Sequence, residues 1–164
     1  MMLEMIHNLY RYNWWAHRHL LEAAKELTSS EVDRNLGGSF PSVRTTLLHM
    51  LWVELMFIRR WQGLSTADIA EPPLLDSVAA IQTTWEDLEK ERTQFLTRLK
   101  EADLILDISY IDSRGRSLSL PLWQSLLHLV NHSTYHRGQL ASKFRQLEKV
   151  PPPTDFVLFC RETH

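Results

Sequence analysis

The stretch DSVAAIQTTWEDLEKERTQFLTRL, residues 76–99, decides the fold. Val78, Ile81, Trp85, Leu88, Arg92, Phe95 and Leu99 follow one another at steps of three and four. That spacing lays one stripe along an α-helix and predicts an amphipathic helix starting near Asp76 or Ser77. Outward from it, the same rhythm recurs three times. Toward the N-terminus, Leu47, Leu48, Leu51, Trp52, Leu55, Met56 and Ile58 predict a helix from Ser42 to Trp61. Ser42, just after Pro41, suits an N-cap, and Gly63 suits the residue past the C-cap. Further back, Ile6, Leu9, Tyr10, Asn13, Trp14, Leu20, Leu21, Ala24 and Leu27 predict a helix over about Leu3–Leu27, interrupted by Thr28-Ser29-Ser30. Toward the C-terminus, Leu122, Leu126, Leu127, Leu129, Val130, Leu140, Phe144 and Leu147 predict a helix from Pro121 to about Glu148. Pro151-Pro152-Pro153 stops it, because proline has no N–H and clashes with the preceding turn.

The connections read differently. Gly37-Gly38 and Pro41 mark one loop, and the stretch through Pro72-Pro73 reads as a linker. Between Leu104 and Leu120 the period changes to two: Leu106, Ile108 and Tyr110 alternate with polar residues, as do Leu118 and Leu120 beyond Asp112-Ser113-Arg114-Gly115. This predicts a β-hairpin. The apolar tail after Thr154 is expected to pack back on the body. The reading is all-α: a four-helix bundle with a small β-hairpin between helices three and four, one domain over residues 1–164.

Composition narrows the function classes. Net charge is −2, and the densest basic patch is Arg59-Arg60. Such a chain does not attract a phosphate backbone, so nucleic acid is not an expected partner. No run of ~18 uncharged apolar residues predicts a membrane span, and the first residues lack a signal-peptide pattern. The single cysteine, Cys160, cannot form an internal disulfide, and its apolar neighbours suggest a buried or half-buried side chain. A cytoplasmic location is the expectation.

Chemistry concentrates in the eight histidines. His7, His17, His19 and His164 are expected to serve surface or packing roles. His132 and His136 stand four apart on a predicted helix, so they share a face one turn apart, and both imidazoles can reach one metal ion. His49 sits mid-helix among Leu47, Leu48 and Leu51, where a lone imidazole is most often a satisfied core residue. A bundle, however, can bring it against the pair. Three imidazoles leave coordination positions open to water or substrate. His128, one turn before His132, could replace one of the three or stand beside them. No phosphate loop and no protein nucleophile motif is present. Trp14, Trp15, Trp52, Trp61, Trp85 and Trp123 read as core rather than as a cofactor platform.

The segment Asn131-His132-Ser133-Thr134-Tyr135-His136-Arg137-Gly138-Gln139-Leu140 resembles the last-helix motif of the DinB (damage-inducible) family. Tyr12-Asn13-Trp14-Trp15-Ala16 resembles that family's first-helix motif. Thr46-Leu47-Leu48-His49-Met50-Leu51 with Glu54 is similar to its second-helix motif, and Pro153-Thr154-Asp155-Phe156 to its closing segment. The resemblance implies a four-helix bundle, often homodimeric, with His49, His132 and His136 holding a divalent ion, usually zinc or nickel. It also implies a metal-dependent enzyme acting with a low-molecular-weight thiol, as an S-transferase, or a hydrolase. The alternative is a non-catalytic, metal-stabilised dimeric binding protein of a stress response. Glu54 could orient a ligand or relay a proton, although a surface salt bridge is the plainer reading. Arg137 could pair with a carboxylate near the site or be a simple helix-surface charge.

Overall fold

Each helix begins and ends where its local chemistry allows. The structure, a computed structural model, describes residues 1–69, 71–112 and 115–163. Its elements are α1 (Met2–Lys25), α2 (Ser29–Asp33), α3 (Val43–Trp61), α4 (Val78–Arg98), β1 (Asp107–Ile111), β2 (Ser117–Pro121), α5 (Leu122–Gln146) and α6 (Phe156–Thr163). Short 3-10 turns cover Ala67–Ile69, within the stretch read as a linker, and Glu101–Ile105.

Ser42 caps α3 as expected: its Oγ accepts from the Thr45 N–H at 3.1 Å, and Thr45 Oγ1 accepts from the Ser42 N–H at 2.9 Å. Ser77 Oγ accepts from the Ala80 N–H and starts α4. Gly63, at φ +70°, ends α3, with Leu64 N–H donating to the Arg59 carbonyl and Gly63 N–H to that of Arg60. A residue there must turn left-handed, which glycine does without a Cβ penalty. Two readings hold and gain detail. Thr28-Ser29-Ser30 does more than interrupt: Thr28 and Glu31 form a capping box that starts the five-residue α2. The tail packs back as a helix, α6, with Phe159 buried against Tyr12 and Ala16 of α1.

The four long helices form a ring in which α5 and α4 each neighbour both α1 and α3. Their stripes meet in one core containing Ile6, Leu20, Leu21, Leu47, Met50, Leu51, Ile58, Ile81, Trp85, Leu126, Leu129, Leu140 and Phe144. Burying a side chain of this kind stabilises by about 1.5–3 kcal/mol. Trp61 Nε1–H donates to Ser125 Oγ at 2.8 Å, which aligns α3 antiparallel to α5 with the His49 level facing His132 and His136. The β-hairpin is antiparallel, with Ile108 opposite Leu120 and Tyr110 opposite Leu118. Ile108 and Tyr110 are half-buried on the bundle, which is the alternation expected for a strand covered on one face. Of the expected turn, Ser113 and Arg114 lie outside the described residues, as does His164. Among the described residues no helix is long and apolar enough to cross a membrane.

Candidate metal centre

The α3–α5 seam carries the three histidines to one point. The Nε2 atom of His49 lies 3.3 Å from that of His132 and 3.2 Å from that of His136, and the last two are 3.1 Å apart. Nε2 atoms bound at about 2.0–2.1 Å to one ion would stand about 3.3–3.4 Å apart in a tetrahedral shell and about 2.9 Å in an octahedral one. The triangle fits that range. Three nitrogens aimed at one another repel unless a proton or cation lies between them, so the donor set suits a divalent ion.

The rings are held for that purpose. His136 Nδ1 stands 2.8 Å from Gln139 Oε1. The amide oxygen can only accept, so Nδ1 carries the proton and Nε2 presents its lone pair. Phe40 stacks on His49 with centroids 4.0 Å apart and meets His136 edge-on at 5.5 Å. The buried Lys143 donates to the Gly37 carbonyl at 3.1 Å and ties down the loop that carries Phe40. Trp52 flanks His49 and donates to the Ile69 carbonyl at 2.7 Å. Burial, reinforced by the neighbouring imidazoles, pushes His49 down to about 4 and His132 to about 3, and burial also lowers His136. All three are therefore neutral near pH 7, the state a metal requires. His136 is buried, whereas His49 and His132 keep some exposed surface.

His128 does not join. Its ring centre lies 6.1 Å from that of His132 and 5.4 Å from that of Phe57, and the side chain is exposed. Among the described residues the metal-competent group is the trio alone.

Beneath the trio lies a second polar set, and here the surface readings of Glu54 and Arg137 are overturned. Glu54 is not a surface residue; it is fully buried where all four long helices meet. Its Oε1 accepts from Asn13 Nδ2 of α1 at 3.1 Å and from Ser133 Oγ of α5 at 3.3 Å. Its Oε2 accepts from Trp85 Nε1 of α4 at 3.0 Å and is ion-paired with Arg92. Arg92 also pairs with Glu89. Arg137 is buried too, and among the described residues no carboxylate pairs with it: it donates to Asn13 Oδ1, Tyr12 Oη and Thr134 Oγ1, beneath the Tyr12 ring. His17 fills the remaining gap, 3.4 Å from Glu54 and 3.5 Å from Arg137. Burial, then the fields of Arg137 and Arg92, keep its pKa well below 6.5, so it is neutral. Sequence reading missed Gln139 and Phe40. Gln139 was detectable, because i, i+3 spacing puts it on the face of His136. Phe40 had no local sign.

Comparison with known proteins places this chain among relatives. The DinB family profile matches residues 2–163. Protein DinB of Bacillus subtilis (strain 168) is 28% identical over 96% of this chain and 95% of its own length. The uncharacterized protein YizA of the same organism is 26% identical over 90% of this chain and 91% of its own. The crystal structure of a DinB-like protein from Bacillus cereus ATCC 10987 superposes with a TM-score of 0.65, at 20% identity, over 88% of this chain and 94% of that one.

Proposed function

We propose, since this chain belongs to the DinB family, that it is a metal-dependent enzyme whose His49, His132 and His136 hold one divalent ion, zinc or nickel, and that it acts on a small molecule together with a low-molecular-weight thiol, as an S-transferase, or with water, as a hydrolase. The observation that carries this reading is the Nε2 triangle with sides of 3.1–3.3 Å, in which His49 and His132 are only half-buried. A bound divalent ion would supply Lewis acidity and lower the pKa of a thiol or water in an open position. The residues of the chain do the rest. Gln139 fixes the tautomer of His136, Phe40 and Trp52 hold the ring of His49, and burial keeps all three ligands unprotonated. Glu54 holds no proton for the reaction in this scheme. It holds the helices.

The alternative, a metal that only pins α3 to α5, is weaker on one observation. Structural sites close their shell with four protein ligands. Here a fourth is lacking among the described residues, and His128 stands outside. A cytoplasmic setting and a homodimer complete the proposal, and the family resemblance supports the latter.

Metal analysis of protein purified without a metal-affinity resin tests the centre. One ion per chain is expected, falling to near zero in His136→Ala; unchanged content in the variant refutes the site. A panel of thiols with a chromogenic electrophile then tests the chemistry. Turnover that depends on both metal and thiol is expected, and turnover with metal but without thiol would move the assignment to hydrolysis.

A further inference from the structure

Away from the α3–α5 seam, α1 forms a hollow of about 380 Å³ with α4 and α6. Arg11, Trp14, Trp15, Arg18 and His19 of α1 and Phe159 of α6 line it, and none of the metal trio does. Its volume falls in the range of small-molecule sites, about 300–1,000 Å³. Arg11, Trp15, Arg18 and Glu22 follow at steps of four, three and four, so one stripe of α1 supplies much of the lining.

The aromatic wall is held in place by the chain itself. Trp15 Nε1–H donates to Glu162 of α6 at 2.8 Å, and the Trp15 ring meets His19 edge-on at 4.4 Å and Phe159 at 5.9 Å. Trp14 differs. The indole N–H groups of Trp15, Trp52, Trp61 and Trp85 each have an acceptor. That of the half-buried Trp14 has none among the described residues.

The charges of the lining are unequally engaged. Its two acids already have partners. Glu22 pairs with Lys25 at 2.6 Å and accepts from Gln82 at 3.2 Å, while Glu89 pairs with Arg92 and accepts from Thr93 Oγ1 at 3.2 Å. Its two arginines do not. Arg44, Arg59, Arg92 and Arg116 each pair with a carboxylate. Among the described residues no carboxylate lies within ion-pair distance of Arg11 or Arg18, and Arg18 reaches Glu22 only through its field. Both arginines are exposed, so water solvates them at little cost, but they leave positive charge beside an aromatic wall. Two turns separate them along α1, about 10 Å, and side chains of this length can converge on a group between them. A guanidinium matches a carboxylate with charge-assisted, bidentate hydrogen bonds, and indole faces accept a planar apolar body.

We propose that this hollow binds a small aromatic acid, with its rings against Trp14 and Trp15 and its carboxylate received by Arg11 and Arg18. The proposal stands apart from the metal reading, because the two sites share no residue.

The test is isothermal titration calorimetry with 2-naphthoate and 2-naphthamide, which share a ring system and differ in charge. Wild type is expected to bind one naphthoate per chain, about tenfold tighter than the amide, the size of two exposed ion pairs. Arg11→Gln with Arg18→Gln should erase the preference by weakening naphthoate alone. Arg98→Gln, at an exposed arginine outside the hollow, should leave both affinities unchanged. Trp14→Leu should weaken both probes, and thermal unfolding of each variant controls for folding. Equal affinity for the two probes in wild type, or a preference that survives the double arginine change, overturns the site. So does the absence of binding by either probe at millimolar concentration. If in that case the double change alters the oligomeric state in sedimentation, the face belongs to a contact between copies instead.

Discussion

Two polar layers adjoin each other, one in the seam of α3 and α5 and one where all four long helices meet, and they obey opposite rules. In the layer around Glu54, two guanidiniums, Arg92 and Arg137, are buried with the carboxylates of Glu54 and Glu89, and amide, hydroxyl, indole and imidazole groups fill the rest. It is supplied with both signs of charge from within. In the layer of His49, His132 and His136 the rings point lone pairs at a common centre with no internal charge to answer them. A buried polar group needs a partner. The first layer finds its partners in the chain, so its work is to join helices. The second has to find one outside the chain, so its work is to hold a ligand. Charge balance distinguishes the two better than burial does.

The largest effects should come from unbalancing the closed layer. Glu54→Ala leaves Arg92 without its deepest partner and removes the acceptor shared by all the other long helices. A loss of about 3–5 kcal/mol is expected in urea denaturation, metal or no metal. A loss below about 1 kcal/mol would show that the layer does not join the helices, since breaking a buried pair costs several times that. His136→Ala should act on the other layer only. With metal at about 100 times its Kd, wild type gains about 2.7 kcal/mol over the chelated protein, and the variant should gain nothing. In chelator the two should unfold together. A variant that is as unstable in chelator as Glu54→Ala would erase the distinction.

The two layers were also unequally legible in the sequence. Helices announce themselves locally, through period and caps, so α1, α3, α4 and α5 fall within a few residues of their expected bounds. The alternation at Ile108 and Tyr110 placed the hairpin for the same reason. The metal trio was legible because two members share a helix face and the third, His49, is a polar residue among leucines. The burial of Glu54, Arg137 and His17 was not legible, because whether a polar side chain is buried depends on which four faces meet, and no local pattern states that. One sign was present: Arg92 stands in the apolar stripe of residues 76–99, and an arginine at a core position requires an acceptor from another helix. Phe40 carries no comparable mark. It matters through what the chain brings beside it.

A smaller effect should separate ring orientation from ligation. Gln139→Leu keeps all three imidazoles and removes the acceptor at His136 Nδ1. Loss of such a partner typically costs about 10–100-fold in metal affinity. The fold should be unaffected, because Gln139 takes no part in the closed layer. Competition with a colorimetric chelator measures it, and unchanged affinity would show that packing by Phe40 is enough to fix the ring.

The smallest effect expected is that of mild acid on metal affinity. At pH 5.5 an imidazole of pKa 6.5 is about 11-fold depleted in its neutral form, so two such ligands would cost about 100-fold. His49 at about 4 and His132 at about 3 remain neutral there, and they should cost almost nothing. Stability without metal moves differently. Between pH 6.5 and about 4 the unfolded chain takes up protons that the buried imidazoles, His17 included, refuse. Stability therefore falls as pH drops through that window. Affinity titrations at pH 7 and 5.5, beside urea curves at the same pH values, should show binding nearly level while the metal-free fold weakens. A loss of affinity of 100-fold or more would mean that the triangle is solvated like free imidazole, and the open layer would then lack the desolvation that readies it for an ion.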